Sequence, residues 1–363
     1  MSEASNNPLK TIGILGSGQL GRMLAIAAAE LGIRAHIYAP DADNSPAGEV
    51  AHKATRASYD DVAALTAFAA SVDVVTSEFE NVPASVMPLL AAHCPASPGE
   101  AALHTAQHRI REKNLARELG IDTPQFWPIS NADDLKSAMR AHGRPCILKT
   151  CTLGYDGKGQ VRINPSDDLD AAFASLGTDD AILEEMVDFA AEASFLVARN
   201  RHGEISHFPA SLNHHEGGIL ATSVAPAPLD DNIVTTGQES VARFADALNL
   251  FGVLALEAFI TTDGRLLFNE IAPRPHNSFH WTIEGCATSQ FTQLARTLCD
   301  LPFGATTTYG QWQMDNLLGE DMGKLPELLA SAGTHVHLYG KAEAKTGRKM
   351  GHTNRQIETQ TRP

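Results

Sequence analysis

The stretch from Val253 to Ile271, VLALEAFITTDGRLLFNEI, contains two apolar, strand-forming runs separated by the pair Asp263-Gly264. An Asp-Gly turn between such runs is a strong signal for a β-hairpin. Pairing outward from a two-residue turn places Glu257 directly opposite Glu270. Two like charges in that position repel each other and weaken a sheet. The stretch therefore predicts a hairpin that holds a cation between its strands.

The chemistry of the two carboxylates indicates which cation. Mg²⁺ binds one or two carboxylates and completes its shell with water and substrate phosphates. We therefore expect Glu257 and Glu270 to bind Mg²⁺ beside a nucleotide; the alternative is two solvated charges on an open sheet face. The same register places Ile260 opposite Leu267. A three-residue loop at Asp263-Gly264 would break the direct opposition of the carboxylates.

Composition limits the class of protein. A length of 363 residues predicts two or three domains, and 43% hydrophobic with 20% charged residues is ordinary for a globular chain. The sequence has no apolar run that could span a bilayer, and its first residues lack the pattern of a signal peptide. A net charge of −15 argues against a nucleic-acid or anionic-membrane partner. We expect a cytoplasmic protein.

The cysteines agree with that location. They are odd in number and none forms a C-x-x-C pair, which argues against a disulfide framework and a structural zinc site. We expect five buried free thiols, Cys94, Cys146, Cys151, Cys286 and Cys299.

The N-terminal third reads as strand, glycine turn, helix, strand. The apolar run Thr11–Leu15 leads into GSGQLG at Gly16–Gly21, and a second strand follows at Ala35–Tyr38. This order is typical of the nucleotide-binding half of a doubly wound sheet, where helix N–H groups attract an anion. Purely structural glycines are an alternative. So is NAD binding, for which Asp41 lies later than the expected ribose-binding acid.

A second strand end carries polar side chains. The strand Val72–Thr76 delivers SEFENVP, residues 77–83, to its carboxyl end, where ligands bind in open α/β sheets. Glu78 and Asn81 are therefore candidate substrate ligands. The alternative is a helix that starts near Pro83 with an acidic first turn.

The middle of the chain, after a Pro-Ser-Gly-rich boundary near residues 94–100, contains a glycine loop between two strands. The strand Pro145–Thr150 bears Lys149, the loop GYDGKGQ spans Gly154–Gln160, and the strand Val161–Ile163 follows. The spacing is not that of a P-loop. Glycines allow close approach to phosphates and a mobile lid, and Lys149 would meet the phosphates as a point charge. The alternative is a flexible hairpin tip with a surface lysine.

Carboxylates and a histidine continue the candidate nucleotide site. The strand Ala181–Val187, AILEEMV, ends in a carboxylate pair, so Glu184 and Glu192 are candidates for binding a ribose, while Glu185 alternates to the other face. In NHHEGG the adjacent histidines point to opposite sides of a strand and make a poor chelate. His215 is better interpreted as a hydrogen-bonding contact to a ligand.

Taken together, these segments resemble the ATP-grasp superfamily, and within it the N5-carboxyaminoimidazole ribonucleotide synthetase family. The matching motifs run in order along nearly the whole chain: GSGQLGRM at 16–23, EFENVP at 78–83, GYDGKGQ at 154–160, NEIAPRPHNS at 269–278 followed by HWT, YGK at 339–341 and GRKMGH at 347–352. The resemblance implies a mixed α/β and α+β fold. It comprises a doubly wound pre-ATP-grasp domain (1–104), an ATP-grasp domain (105–303, lid about 120–187) and a small C-terminal domain (304–363).

The resemblance also implies an activity in de novo purine (IMP) biosynthesis. ATP, bicarbonate and 5-aminoimidazole ribonucleotide would give N5-carboxyaminoimidazole ribonucleotide, ADP and phosphate through carboxyphosphate or CO₂ released from it. ATP and Mg²⁺ would be required, and the protein would be a homodimer.

Matched positions imply roles for individual residues. ATP would be held by Arg109, Lys149, Gly154, Tyr155, Asp156, Gly157, Lys158, Gly159, Gln160, Glu184, Glu185, Met186, Val187, Glu192, His215, Asn269 and Glu270. The imidazole nucleotide would be bound by Gly18, Gln19, Glu78, Asn81, Tyr155, Asp156, His276, Asn277, Ser278, Lys341 and Arg348. Glu257 and Glu270 would bind Mg²⁺, and the catalytic side chains would be Arg274, Lys149, Tyr155 and Asp156.

Three of these roles depend on a structural condition or have an alternative interpretation. If Glu270 faces the site in a regular strand, Asn269 faces away, so a local irregularity is needed for both to serve. Arg274 has the planar fork that suits carboxyphosphate oxygens, and its alternative is an ordinary surface ion pair. The basic cluster of Lys341 and Arg348, with Lys349 nearby, is expected to clamp a 5′-phosphate; its alternative is a solvated tail.

Three other functions remain open. One is another ATP-grasp ligase, such as the formate-using glycinamide ribonucleotide transformylase, against which EFENVP and HNS-x-HWT favour an aminoimidazole acceptor. The second is a non-catalytic nucleotide-binding subunit, which would have no need of Lys149 and Arg274. The third is a dehydrogenase, which lacks a clear ribose acid.

Overall fold

The computed structural model describes residues 10–154 and 159–358. Its N-terminal part is built on a parallel sheet of β1 (Thr11–Leu15), β2 (Arg34–Ala39), β3 (Lys53–Arg56) and β4 (Val74–Ser77), in the order β3-β2-β1-β4. The helices α1 (Gln19–Glu30), α2 (Val62–Ala69), α3 (Val86–Ala91) and α4 (Glu100–Ala106) complete it. β1 lies between β2 and β4, so the carboxyl ends of β1 and β4 are neighbours. The predicted doubly wound sheet is confirmed.

A small antiparallel sheet follows. Its strands are β5 (Phe126–Ile129), β6 (Cys146–Thr150), β7 (Gln160–Ile163) and β8 (Ala181–Glu185), in the order β5-β8-β6-β7, with helices α5 (Arg109–Glu118), α6 (Ala132–His142) and α7 (Leu169–Ser175). α6 begins where the Asn131 side chain accepts a hydrogen bond from Asp134 N–H, and it ends at Gly143 with φ 69°. β6 and β7 pair on either side of the glycine loop, as predicted.

The remaining strands form one nine-stranded sheet. They are β9 (Phe189–Arg199), β10 (Ile205–His207), β11 (Ser211–Glu216), β12 (Ile219–Ala225), β13 (Gly252–Thr261), β14 (Leu266–Ala272), β15 (Gln311–Leu318), β16 (Thr334–Leu338) and β17 (Lys349–Ile357). The order is β14-β13-β9-β11-β12-β15-β17-β16, with β10 on β9. The helices are α8 (Asp231–Ala247), α9 (Thr282–Gly285), α10 (Gln290–Leu298) and α11 (Leu325–Ala330), with 3-10 turns at Asn277–Phe279 and Gly319–Lys324. β15 pairs with β12, so the large sheet contains strands from both sides of the predicted boundary at residues 303 and 304. The sheet does not by itself separate the predicted domains, and their boundaries stay predictions.

The β13–β14 hairpin keeps the predicted opposition of Glu257 and Glu270. The predicted pairing of Ile260 with Leu267 is wrong, because Ile260 pairs with Leu266. Thr261 N–H donates to the Arg265 carbonyl, which closes a three-residue loop and shifts the register by one residue.

A bulge in β14 restores the register beyond that loop. Ala258 pairs with Phe268 and Glu257 with Glu270, which leaves Asn269 as the extra residue. The local irregularity required for Asn269 and Glu270 to serve one site is therefore present.

The apolar interior includes the thiols. All five cysteines are buried and free, as predicted. Burial raises the pKa of the Cys146 thiol, and of the Cys286 thiol to about 12, which keeps both protonated at neutral pH. Among the described helices, none has both the length and the apolar character needed to cross a membrane.

Candidate active site

The glycine turn between β1 and α1 surrounds a protein carboxylate. The backbone N–H groups of Gly18 and Gly21 both donate to Glu78, which is 7% exposed. A Cβ atom on Gly18 would lie 2.9 Å from Glu78 Oε1, so the turn needs glycine for this approach. Burial raises the pKa of Glu78, and the two N–H groups together with Arg274 oppose that rise. The group that accepts from this helix N-terminus is therefore the carboxyl of Glu78, where the sequence suggests a ligand phosphate.

Glu80 and Arg274 form a bidentate ion pair. Arg274 Nη2 donates to Glu80 Oε1 at 2.9 Å and Nε donates to Oε2, while Nη1 donates to the Pro275 carbonyl at 3.1 Å. Burial alone would raise the pKa of Glu80, but the adjacent guanidinium lowers it. The side chains are 18% and 30% exposed, so this is not an ordinary surface pair. Sequence reasoning missed Glu80, although it stands two residues after Glu78 on the same strand end.

The opposed carboxylates of the hairpin lie in a polar cluster. Glu257 accepts a hydrogen bond from Ser194 Oγ at 3.3 Å, and Arg109 Nη1 donates to Glu270 Oε2 at 3.3 Å. Burial, and then the charge of Glu270, raise the pKa of Glu257 to about 7. A cation between the carboxylates would relieve their mutual repulsion, so Glu257 and Glu270 are the residues here that could hold a divalent metal ion.

His215 adds a titratable group to this cluster. Its Nδ1 bonds to Glu192 Oε2. Burial alone would lower the pKa of His215, but the hydrogen bond to Glu192 and the charges of Glu257 and Glu270 raise it. His214 is exposed and lies 3.4 Å from Glu216, so the adjacent histidines do not converge on one point.

A second cluster holds Glu184 between two lysines. Lys149 Nζ donates to Glu184 Oε2 at 2.8 Å, and Lys113 Nζ lies 3.3 Å from Oε1. Burial alone would raise the pKa of Glu184, but the two ammonium groups lower it to about 2. Glu185 points to the other face, as predicted, and accepts from Gln125 N–H at 2.8 Å. Sequence reasoning did not single out Lys113, whose only signal was its place on the helix that carries Arg109.

The glycine loop is described only at its ends. Tyr155, Asp156, Gly157 and Lys158 lie outside the described residues. Gly159 has φ 70°, and its carbonyl accepts a hydrogen bond from Thr150 N–H at 2.9 Å. Gln160 pairs with Lys149, which fixes the base of the loop beside the lysine. The remaining predicted ATP ligands here are Gly154, the first residue of the loop, and Met186 and Val187, which follow β8.

In the segment 276–278, the His276 side chain is hydrogen-bonded and the Asn277 side chain has no partner among the described residues. His276 Nδ1 contacts Ser278 Oγ at 2.8 Å, and Ser278 is fully buried, so the serine orients the imidazole. Burial, and then Arg274, lower the pKa of His276 well below its usual value, which makes its 3.7 Å approach to Glu257 a contact of a neutral ring. Both amide atoms of Asn277 are buried without a hydrogen-bond partner in the described structure. A buried amide without a partner leaves a donor and an acceptor available to a bound ligand or water.

The predicted basic cluster lies where the chain enters β17. Lys341 Nζ donates to the Lys349 carbonyl at 2.7 Å, and Arg348 Nη1 donates to the Glu343 carbonyl at 3.1 Å. The charge of Lys349 lowers the pKa of His276, so the cluster and the 276–278 segment influence each other. Of the other predicted substrate ligands, Gln19 begins α1 beside Gly18 and Asn81 is exposed.

Comparison with known proteins agrees with this architecture. Three family models match in succession: the ribonucleotide synthetase preATP-grasp domain at residues 9–107, the ATP-grasp domain at 114–291 and the phosphoribosylaminoimidazole carboxylase C-terminal domain at 313–362. The N5-carboxyaminoimidazole ribonucleotide synthase of Brucella melitensis is 44% identical over 357 residues, which cover 98% of each chain.

Solved structures give the same result. The ADP complex of an N5-carboxyaminoimidazole ribonucleotide synthetase superimposes with a TM-score of 0.92 at 41% identity, covering 96% of this chain and 93% of that one. The Aspergillus clavatus N5-carboxyaminoimidazole synthase in complex with ADP and 5-aminoimidazole ribonucleotide gives 0.89 at 29% identity, covering 97% and 95%. The chain therefore belongs to the N5-carboxyaminoimidazole ribonucleotide synthase family of ATP-grasp ligases.

Proposed function

We propose that this chain carboxylates 5-aminoimidazole ribonucleotide with bicarbonate at the expense of ATP. The observation that carries the proposal is the position of Arg274. Its charge opposes the rise that burial causes in the pKa of Glu78, beside the glycine turn, and its own pKa is raised by Glu80 first and then by Glu270 and Glu257. One guanidinium thus lies within electrostatic reach of both ends of the site. We call the part around Glu257 and Glu270 the nucleotide end, and the part around Glu78 the acceptor end.

The proposed chemistry has two steps. An oxygen of bicarbonate attacks the γ-phosphorus, the bond to the bridging oxygen of the β-phosphate breaks, and ADP leaves with carboxyphosphate formed. The exocyclic amine of the imidazole then attacks the carboxyl carbon, either of carboxyphosphate or of CO₂ released from it. Phosphate departs and the amine loses a proton. No covalent protein intermediate is needed, so the protein acts by positioning, charge neutralisation and exclusion of water.

The residues of the nucleotide end have distinct parts in this proposal. Glu257 and Glu270 would hold Mg²⁺, which neutralises phosphate charge when it is bound. Lys149, Arg109 and the glycine loop would bind the phosphates. The contacts to Glu80 and Pro275 use three of the five N–H groups of the Arg274 guanidinium, and among the described residues the other two have no hydrogen-bond partner, so they would serve a developing oxyanion.

The acceptor end would bind the imidazole nucleotide. Glu78 lies at the glycine turn, and the unpartnered Asn277 amide offers both a donor and an acceptor to a heterocycle. The neutral ring of His276 can accept or donate without adding charge beside the reacting carboxylate. Lys341 and Arg348 would clamp the 5′-phosphate. Bicarbonate as the carbon source, the homodimer and a cytoplasmic location belong to the proposal as well.

ADP release tests the function, with ATP present and bicarbonate or 5-aminoimidazole ribonucleotide omitted in turn. The proposal expects rapid release only with both, and an acid-labile carboxylated product. Release that is indifferent to the imidazole nucleotide overturns it. Turnover with glycinamide ribonucleotide and formate would identify the rival ligase, and no turnover with any acceptor would identify a non-catalytic subunit.

A pair of arginine variants sharpens the test. Arg274→Met should abolish coupled ADP release, because it removes the proposed oxyanion donors. Arg243→Met is the matched control, since Arg243 also pairs with a glutamate, Glu239 at 3.2 Å, but is 50% exposed. Equal activity of the two variants would contradict the role of Arg274.

A further inference from the structure

The strand that carries Asn269 and Glu270 lies at an edge of the large sheet. β14 is the terminal strand in the sheet order, and helix α5 packs along its outer side. Backbone groups on the outer side of an edge strand have no neighbouring strand, and when buried they need other partners. A helix uses its own backbone groups internally, so only its side chains can supply those partners.

Two consecutive residues of α5 supply two of them, and the Asp122 carbonyl, beyond the helix, accepts from Phe268 N–H at 2.8 Å. Lys113 Nζ donates to the Asn269 carbonyl at 2.9 Å, and Ile271 N–H donates to Glu112 Oε2 at 3.1 Å. The two contacts fall on either side of Glu270. Glu112 is 2% exposed and Lys113 is fully buried, so water does not compete for these hydrogen bonds.

Lys113 also reaches the small sheet. The same ammonium lies 3.3 Å from Glu184 on β8, which is itself bonded to Lys149. The side chains of Lys113 and Glu184 are 0% and 3% exposed. One buried cation therefore connects the bulged strand β14 to the strand that holds the proposed ribose-binding carboxylate.

We propose that Lys113 and Glu112 are positioning residues that fix the nucleotide-binding carboxylates of the two sheets relative to each other. Neither needs to touch ATP. They hold the β14 bulge so that Asn269 and Glu270 face one site, and Lys113 holds Glu184 at the other side of it. This inference rests on the proposed function, since it assigns their purpose to nucleotide binding.

The first test is the variant Lys113→Met, with binding of Mg²⁺–ADP measured by calorimetry. Removing the ammonium leaves the Asn269 carbonyl unpaired and Glu184 with one cation, so we expect the ADP Kd to rise by about tenfold to a hundredfold. The KM for 5-aminoimidazole ribonucleotide should stay within about twofold, because Lys113 contacts the Asn269 carbonyl and Glu184, both at the nucleotide end. Lys136→Met is the matched control: Lys136 also pairs with two carboxylates, Asp133 and Asp170, but on the surface.

A merely structural role predicts a different pattern. The variant would then lose thermal stability while its folded fraction bound ADP as tightly as wild type, and that result overturns the proposal. An equal loss of affinity for ADP and for the imidazole nucleotide overturns it too. If wild type binds ADP but shows no turnover dependent on the imidazole nucleotide, the proposed function fails, and the ADP affinities still decide the positioning role.

A second pair of variants decides the question if Lys113→Met does not fold. Glu112→Gln and Glu112→Met are both uncharged and similar in size, but only glutamine can accept the hydrogen bond from Ile271 N–H. We expect the glutamine variant to keep ADP affinity within about threefold of wild type and the methionine variant to lose about tenfold. Equal ADP affinities in the two variants would refute the role of that hydrogen bond.

Discussion

Replacing Glu257 by glutamine should stabilise the metal-free protein at alkaline pH while weakening its binding of Mg²⁺–nucleotide. Glu257 is buried opposite Glu270, and these two effects raise its pKa from 4.5 to about 7. Glutamine keeps the shape of the side chain and removes the charge. A site built to hold a cation should therefore be less stable without one than its neutral variant.

The sign and size of the effect follow from the pKa. The folded-state pKa lies above the unfolded value, so the folded protein disfavours the charged carboxylate. The penalty is absent below about pH 4.5, grows as the pH rises to about 7, and is complete above that. A shift of about 2.5 pKa units corresponds to an upper limit of about 3.4 kcal/mol, at 1.36 kcal/mol per unit.

The assay compares thermal unfolding of wild type and Glu257→Gln between pH 5 and pH 9 in a chelating buffer. The variant should differ least from wild type near pH 5 and melt higher at pH 8, by up to about 7–14 °C, since 1 kcal/mol shifts Tm by about 2–4 °C in domains of 150–250 residues. Adding Mg²⁺ and ADP should raise the wild-type Tm more than that of the variant. A difference in Tm that does not change with pH, or a variant less stable at pH 8, would refute this reasoning.

Three further predictions concern the acceptor end. Glu80→Gln should lower kcat by on the order of a hundredfold with little change in the KM for ATP, because Arg274 loses its charged partner and its orientation; unchanged kcat would contradict this. Gly18→Ala should raise the KM for the imidazole nucleotide and cost about 1–3 kcal/mol in unfolding experiments, since its Cβ would lie 2.9 Å from Glu78 Oε1; equal KM and stability would argue against that contact. Arg348→Ala should raise the KM for the imidazole nucleotide about tenfold or more, and a rise confined to ATP would exclude the phosphate clamp.

The sequence predicted the opposition of Glu257 and Glu270 correctly, but the register it assumed near the turn is wrong. The turn contains three residues, and the bulge at Asn269 compensates for the extra one. A bulge of this kind could not be predicted from local pattern, because it is held by contacts with Lys113 and Glu112, 156 and 159 residues earlier in the chain. The local rules give the strands, and the tertiary contacts set the register.

In the candidate site, too, local sequence patterns predicted some features and tertiary contacts decided the others. Motif order placed Arg274 beside the hairpin, and alternation along β8 correctly separated Glu184 from Glu185. The partner of Arg274 was not predictable, since Glu80 is 194 residues away in sequence and only the fold brings the two together. The glycine turn was assigned to an external anion because sequence patterns do not reveal that a protein carboxylate occupies the helix N-terminus.

The most direct test of the proposed activity follows oxygen atoms from bicarbonate. Turnover in ¹⁸O-labelled bicarbonate, stopped before exchange with water, should yield inorganic phosphate that carries one labelled oxygen per molecule, because a bicarbonate oxygen forms the new bond to the γ-phosphorus. The remaining label should appear in the carboxylated nucleotide. Phosphate without label would contradict attack of bicarbonate on ATP, and with it the proposed mechanism.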